Sequence, residues 1–171
     1  MKALIISDSH GLQKELFEVF QRHTQDVDVI IHCGDSELAK DNFMSFDKLL
    51  IVKGNCDYEP GFKNEIMTNV LGQNIFIVHG HLHDVKFSAV KLSYCAEELD
   101  ANLVCFGHTH EAVAFQENNI LYINPGSFRL PRKRPERTYA IVEFQNKTAT
   151  VIYFDHLGKE ISDLKSNFVL V

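Results

Sequence analysis

The feature that most constrains this chain is a series of short apolar runs, each ending abruptly in a cluster of Gly, Asp, Asn or His. Lys2 to Ser7 leads into Asp8-Ser9-His10, Val27 to His32 into Gly34-Asp35, and Leu49 to Lys53 into Gly54-Asn55. Asn74 to Val78 leads into His79-Gly80-His81, and Asn102 to Phe106 into Gly107-His108-Thr109-His110. Runs this short and this rich in Ile, Val and Leu read as strands buried on both faces. Leu12, Leu16, Val19, Phe20 and His23 share one face of a helix after the first run. Strand, helix, strand in succession is the rhythm of a parallel sheet.

Glu65 to Leu71 and Asn74 to Val78 read as a hairpin turning at Gly72-Gln73. Phe87, Val90, Tyr94, Cys95 and Leu99 predict a second amphipathic helix with that face on the sheet. From Ala112 onward the strands follow one another without helices: Ala112 to Gln116, Ile120 to Ile123, Thr138 to Phe144 and Ala149 to Phe154. The last two are joined at Gln145-Asn146-Lys147, a hairpin turn. These strands are expected to form a second, largely antiparallel portion packed on the first sheet. The stretch from Lys159 has no decisive pattern.

No linker, repeat or low-complexity tract divides the 171 residues, so residues 1–171 are expected to form one domain. A net charge of −6 and a pI near 5.8 argue against a general polyanion-binding surface, and no stable nucleic-acid binding is expected. Any phosphate-bearing substrate must be held locally. Cys33, Cys56, Cys95 and Cys105 form no CxxC pair, which fits reduced thiols and a cytoplasmic protein. Ala3 to Ile6 is too short for a signal-peptide core, and no run approaches the ~20 apolar residues of a membrane span. No membrane partner is expected, and a homo-oligomer is left open.

The five polar motifs all fall where strands end. In open α/β sheets ligands collect beyond the carboxyl ends of strands, so residues distant in sequence can converge there. Carboxylate, imidazole and amide are oxygen and nitrogen donors suited to manganese, iron, nickel or zinc. Singly, each motif also reads as a turn: Gly-Asp and Gly-Asn are common turn dipeptides, and Asp after a strand is a common cap. His-x-His is more telling, because residues two apart on an extended chain point the same way.

Taken in order, Asp-x-His, Gly-Asp, Gly-Asn, His-Gly-His and Gly-His-Thr-His resemble the calcineurin-like metallophosphoesterases. Gly54-Asn55-Cys56-Asp57 and the short length resemble their small bacterial and archaeal phosphodiesterase branch. The resemblance runs from Asp8 to about Ser127. It implies an α/β fold, a two-sheet β-sandwich flanked by helices in four α/β/β/α layers, with two divalent metals at one edge. Mn²⁺ is expected first, with Zn²⁺, Fe²⁺ or Ni²⁺ as alternatives. Carried over residue by residue, it assigns Asp8, His10 and His110 to one metal, Asn55, His79 and His108 to the other, and Asp35 to both. The resemblance implies a metal-bridging hydroxide that attacks phosphorus in line, with a small phosphate ester as the expected substrate, a diester first and a nucleotide-like ester among the candidates.

One position departs from the family pattern: Cys56 stands where a histidine commonly protonates the leaving group. A thiol is a poorer acid partner than imidazolium. His81 is a candidate for orienting a ligand or the phosphate, while His23, His32, His83 and His156 read as structural, and Asp57 as a turn residue. Asn124-Pro125-Gly126-Ser127 resembles a loop near the metal edge of this branch. Arg129, Arg132, Lys133, Arg134 and Arg137 form a basic loop that reads first as a solvated charge run, the alternative being that one or two of its arginines, Arg129 or Arg132, clamp a phosphate. The competing function is a non-catalytic scaffold of the same fold that binds protein partners, a role some relatives serve in membrane-coat assemblies. All seven ligand positions keep competent side chains, which favours catalysis. A mononuclear hydrolase of amides or carboxyl esters leaves the second ligand set unexplained.

Overall fold

The computed structural model describes residues 1–170. Two sheets face each other. The first has strands β1 (Lys2–Ile6), β2 (Val29–His32), β3 (Leu49–Ile51), β9 (Thr138–Gln145), β10 (Thr148–Asp155) and β11 (Ser166–Val169), in the order β11-β10-β9-β1-β2-β3. The second has β4 (Glu65–Val70), β5 (Gln73–Val78), β6 (Leu103–Cys105), β7 (Ala112–Glu117) and β8 (Ile120–Pro125), in the order β4-β5-β6-β8-β7. Pairing is parallel along β1-β2-β3 and along β5-β6-β8, so the carboxyl ends within each of these sets lie together.

Period-two alternation explains why the early strands are apolar throughout. Ala3 and Ile5 point into the layer between the sheets, where they meet Ile75, Ile77, Leu103, Cys105, Leu121 and Ile123. Leu4 and Ile6 point outward onto helix α1 (Gln13–His23), against Leu16, Val19 and Phe20. On the far side, Phe76, Val104 and Tyr122 pack under helix α2 (Val90–Glu98). The layers are therefore α1, sheet, sheet, α2, the four-layer α/β/β/α arrangement expected from the resemblance. No helix is long and apolar enough to cross a membrane among the described residues.

Several expectations need correction. The late strands do not form a portion of their own: β7 and β8 join the second sheet, while β9 to β11 extend the first, with β9 antiparallel to β1. Helix α2 buries Leu92 and Ala96, and Phe87, Val90, Tyr94 and Leu99 of the expected sheet face are exposed; of that set only Cys95 packs partly inward. This helix is apolar on two sides, so periodicity cannot choose between them, and Phe87 precedes the helix in a turn and does not share its phase. The hairpin turns at Leu71-Gly72, both with positive φ (49° and 86°), one position earlier than Gly72-Gln73. Between β2 and β3 the chain makes only a 3-10 turn, Lys40–Phe43.

Candidate metal centre

Asp8 and His10 follow β1, Asp35 follows β2, Asn55 follows β3, His79 directly caps β5, and His108 and His110 follow β6. Backbone bonds join the loops: Asp8 N to Gly34 O and His10 N to Asp35 O at 3.0 Å, and Gly107 N to His79 O at 3.0 Å. Packing is close enough to require glycine at two points. A Cβ on Gly54 would collide with the Asp35 carboxylate, and one on Gly107 with Ser7 Oγ. Five of the seven proposed ligand residues, Asp8, His10, Asp35, His108 and His110, have positive φ. Non-glycine residues in that region cost on the order of 1–3 kcal/mol each and gather at functional sites.

Three histidines are fixed so that one ring nitrogen is spent and the other faces inward. His79 Nδ1 donates to Cys33 O at 2.7 Å, and His110 Nδ1 donates to Leu130 O at 2.7 Å. His10 Nδ1 is 2.6 Å from Glu37 Oε1. In each neutral ring the proton sits on Nδ1 and Nε2 presents a lone pair, the arrangement that outer partners impose on metal-binding histidines. His79 Nε2 lies 3.2 Å from Asn55 Oδ1, 3.3 Å from Asp35 Oδ2 and 3.2 Å from His108 Nδ1. His110 Nε2 lies 3.0 Å from Asp8 Oδ1. Asp8 Oδ1 and His10 Nε2 are buried without a hydrogen-bond partner, 4.0 Å apart.

Lone pairs thus face lone pairs, an arrangement that is costly unless a cation lies among them. Donor atoms on one ion at ~2.1 Å sit roughly 3–3.5 Å from each other, which matches these spacings. Asp8, His10 and His110 offer ligand atoms all within 4.8 Å of one another, and so do Asp8, Asp35 and His79. His108 and Asn55 join the second set through His79. The donor set therefore fits divalent ions.

The titration behaviour agrees. Burial alone would push the His79 imidazole down, but the Asp35 and Asp8 carboxylates overcome it and hold it above its ordinary value. His110 is raised chiefly by its contact with Asp8. Asp8 and Asp35, despite burial, stay below the usual carboxylate range because of these imidazoles. His108 falls to about 4, through burial and then the charge on His79. The site attracts positive charge, and protons supply it when metal does not.

A calcineurin-like phosphoesterase superfamily domain matches residues 1–147. The chain belongs to this superfamily. It is 45% identical over 170 residues to the probable metallophosphoesterase YsnB of Bacillus subtilis, covering 99% of this chain and 100% of the relative. It is 31% identical over 147 residues to the phosphodiesterase MJ0936 of Methanocaldococcus jannaschii, covering 74% of this chain and 83% of the relative. The crystal structure of a conserved Streptococcus pneumoniae protein, described as a predicted phosphoesterase, superposes with a TM-score of 0.93 at 34% identity, covering 98% of this chain and 97% of that one. The superfamily implies divalent metal ions.

In this calcineurin-like phosphoesterase, Cys56 lies beside the metal-competent atoms: its Sγ is within 4.8 Å of ligand atoms of His10 and Asp35, and Asn55 Nδ2 donates to it at 3.2 Å. Burial, then the Asp35 charge, pushes its thiol up to about 11, so it is protonated at neutral pH. The His81 ring lies 5.4 Å from that of His79 and 6.1 Å from that of His108, and its buried Nδ1 has no partner. His32 is buried beneath the site, 2.9 Å from Ser9 Oγ, and His23 bonds Tyr139 at 2.9 Å. Arg129 spends its guanidinium on His10 O. Lys133 pairs with Glu111, Arg134 with Glu136 and Asp163, and Arg137 lies over Phe128, while the Arg132 guanidinium has no ion pair among the described residues.

Three residues matter more than the sequence indicates. Glu37 orients His10. Asn124 Nδ2 donates to Gly107 O at 2.9 Å and Thr109 Oγ1 at 3.0 Å, bracing the His108 loop. Asp57 is a four-bond anchor: Oδ2 accepts from Asp35 N and Gly54 N at 2.8 Å, and Oδ1 from Glu37 N at 2.7 Å and Ser36 Oγ at 3.1 Å. Gly-Asn-Cys-Asp beside Gly-Asp is the one signal that marks it.

Proposed function

We propose that this chain is a dinuclear metal-dependent phosphodiesterase acting on a small phosphate ester. The observation that carries the reading is the convergence of carboxylate, amide and imidazole lone pairs in two adjoining, partly buried clusters, His79 with Asp35 and Asn55 and Asp8 with His10 and His110. Asp8, His10 and His110 would hold one ion and Asn55, His79 and His108 the other, with Asp35 shared. Two divalent ions, Mn²⁺ before Zn²⁺, Fe²⁺ or Ni²⁺, would supply Lewis acidity toward the phosphoryl oxygens and a water acidic enough to attack phosphorus in line.

The chain's own side chains position the ester. Asn55 turns Oδ1 toward His79, leaving Nδ2 on the outer side to donate to a phosphoryl oxygen. Arg132 draws the anion to an otherwise acidic protein. Cys56 and His81 border the reacting atoms, and the high thiol pKa makes Cys56 a weak acid, favouring esters whose leaving groups depart readily. A surface cavity of about 400 Å³, lined by Glu37, Leu38, Ala39, Tyr58, Glu59 and Pro60, leaves room for the ester's substituent on that side.

The test is metal analysis with turnover on chelator-stripped protein refilled with each ion, using aryl diesters and monoesters. Two equivalents per chain, and diester hydrolysis that returns with them, is the expected result. Full turnover in excess chelator ends the metal mechanism. Two bound metals with no hydrolysis of any ester returns the chain to the scaffold reading.

A further inference from the structure

The loops that carry Asp35 and Asn55 continue past those residues and wall the cavity of about 400 Å³ beside the candidate centre. Glu37, Leu38 and Ala39 form one wall, and Tyr58, Glu59 and Pro60 the other. Glu37 belongs to the cavity and to the centre at once, because its Oε1 meets His10 Nδ1 at 2.6 Å. Cys56, whose Sγ lies within 4.8 Å of ligand atoms of His10 and Asp35, stands two residues before Tyr58. The walls are tied to each other. Asp57 Oδ1 accepts from Glu37 N at 2.7 Å, and Glu59 Oε2 accepts from Lys40 N at 3.1 Å while its Oε1 accepts from Gly61 N at 2.9 Å. A cavity held open by such bonds needs little ordering when a ligand enters, and its size is ordinary for a small-molecule site.

Tyr58 is 96% exposed, so its ring adds almost nothing to the packing of the fold and stands uncovered on the wall. With Leu38, Ala39 and Pro60 it offers apolar surface to a flat group. Charge then decides which flat groups enter. The Glu59 oxygens are taken by backbone N–H groups, and Lys40 reaches Glu59 over Gly61. Glu37 spends one oxygen on His10 and keeps the other, and none of the six lining residues is basic. We propose that this cavity takes a flat, uncharged substituent of the phosphodiester, stacked on Tyr58, and that Glu37 turns away substituents that carry negative charge. The inference rests on the phosphodiesterase reading for its ester and goes beyond it in naming the substituent. An N–H on the flat group would find its acceptor in the free Glu37 oxygen, whereas an anion would face that same carboxylate.

The test separates binding from turnover, using the full chain refilled with Mn²⁺. Calorimetry gives Kd for methyl benzylphosphonate, whose P–C bond resists hydrolysis, for its 4-carboxybenzyl analogue, and for methyl 2-(trimethylammonio)ethylphosphonate. Turnover is read with methyl 4-nitrophenyl phosphate. The benzyl compound should bind on the order of tenfold tighter than the carboxybenzyl one at low salt, and the gap should narrow at high salt. Tyr58→Ala should raise Kd for the benzyl compound about tenfold and weaken turnover through KM rather than kcat, with metal content unchanged, whereas Tyr58→Phe should stay within roughly twofold of the parent. Tyr58→Lys should turn the preference toward the carboxybenzyl compound. The side chain is exposed, so all three variants are expected to fold as the parent does. Equal affinity for the neutral and anionic compounds, tightest binding of the ammonium compound, or a Kd indifferent to Tyr58→Ala overturns the proposal, and the phosphodiesterase reading stands if the nitrophenyl ester is still hydrolysed. Tyr58-dependent binding of the benzyl compound without hydrolysis of the ester supports the cavity's assignment and overturns that reading instead.

Discussion

The Asp57 carboxylate is the tie between two of the loops that carry the candidate metal ligands, and Asp57→Asn tests this with almost no change in shape. The side chain is buried, and its two oxygens accept four hydrogen bonds, three from backbone N–H groups of Asp35, Gly54 and Glu37. An amide can keep only one oxygen. Placing that oxygen toward Asp35 and Gly54 leaves the Glu37 N–H facing an NH2 group, while Ser36 can rotate its hydroxyl to accept. One buried donor without a partner costs ~1–3 kcal/mol, and two charge-assisted bonds falling to neutral ones cost ~1 kcal/mol each. Relief of the buried charge offsets part of this, so the net loss is about 3 kcal/mol.

In a chain of this length that lowers the melting midpoint by about 6–12 °C. The measurement is denaturation of the metal-free protein followed by circular dichroism, with the exposed Asp47→Asn as a control expected to stay within ~0.5 kcal/mol of the parent. Metal affinity should fall as well, because Glu37 orients His10 and Asp35 N is held by Asp57. If Asp57→Asn matches the control in stability and keeps parental metal content, Asp57 is not the tie.

Three other outcomes follow from the geometry. His32 is fully buried and held down to about 4, chiefly by burial; its contribution is present above pH 6.5 and is lost as pH falls from 6.5 through 4, about 3 kcal/mol in all, so on chelated protein the His32→Gln stability curve should converge on or cross the parent's across that window, and parallel curves would refute the assignment. Cys56→His should raise turnover on esters with poor leaving groups, by up to ~10²-fold, more than on aryl esters, and equal gains on both would show that position 56 does not address the leaving group. Arg132→Ala should raise KM for diesters at low salt and lose most of that effect at high salt, whereas Arg129→Ala should act on stability through His10 O; salt-independent kinetics for Arg132→Ala would remove it from substrate recruitment.

The sequence made the strands and the metal-competent residues legible for one physical reason. Strands covered on both faces must be apolar at every position, so Ala3 to Ile6 and Val29 to Ile31 stand out, and the first polar residues after them are those at the sheet edge. What stayed hidden depends on partners that leave no local trace. The atoms that fix His79 and His110 are the carbonyls of Cys33 and Leu130, and any residue type supplies a carbonyl. Glu37 reaches His10 only because its own backbone takes a φ of 54°, which the sequence does not announce. The choice of face on α2 was equally invisible, because apolar residues lie on both sides.

Strand pairing was the other blind spot, and it bears on how the site is built. Thr138 to Phe144 reads locally as one strand in an antiparallel series, yet β9 pairs with β1 across most of the chain. That pairing makes the first sheet a mixed one and leaves β4 to β8 to build the second. Asp8, His10, Asp35 and Asn55 therefore come from the first sheet, and His79, His108 and His110 from the other. The positions that share a metal in the proposed assignment straddle this boundary: His110 joins Asp8 and His10, and Asn55 joins His79 and His108. A relative displacement of the sheets by even an ångström would pull ligand atoms outside the roughly 3–3.5 Å spacing that one ion requires. The interleaved order and the dense apolar layer between Ile5, Ile31, Ile77 and Cys105 are thus what hold the two halves of the candidate site in register, so the core's packing is part of that site's geometry.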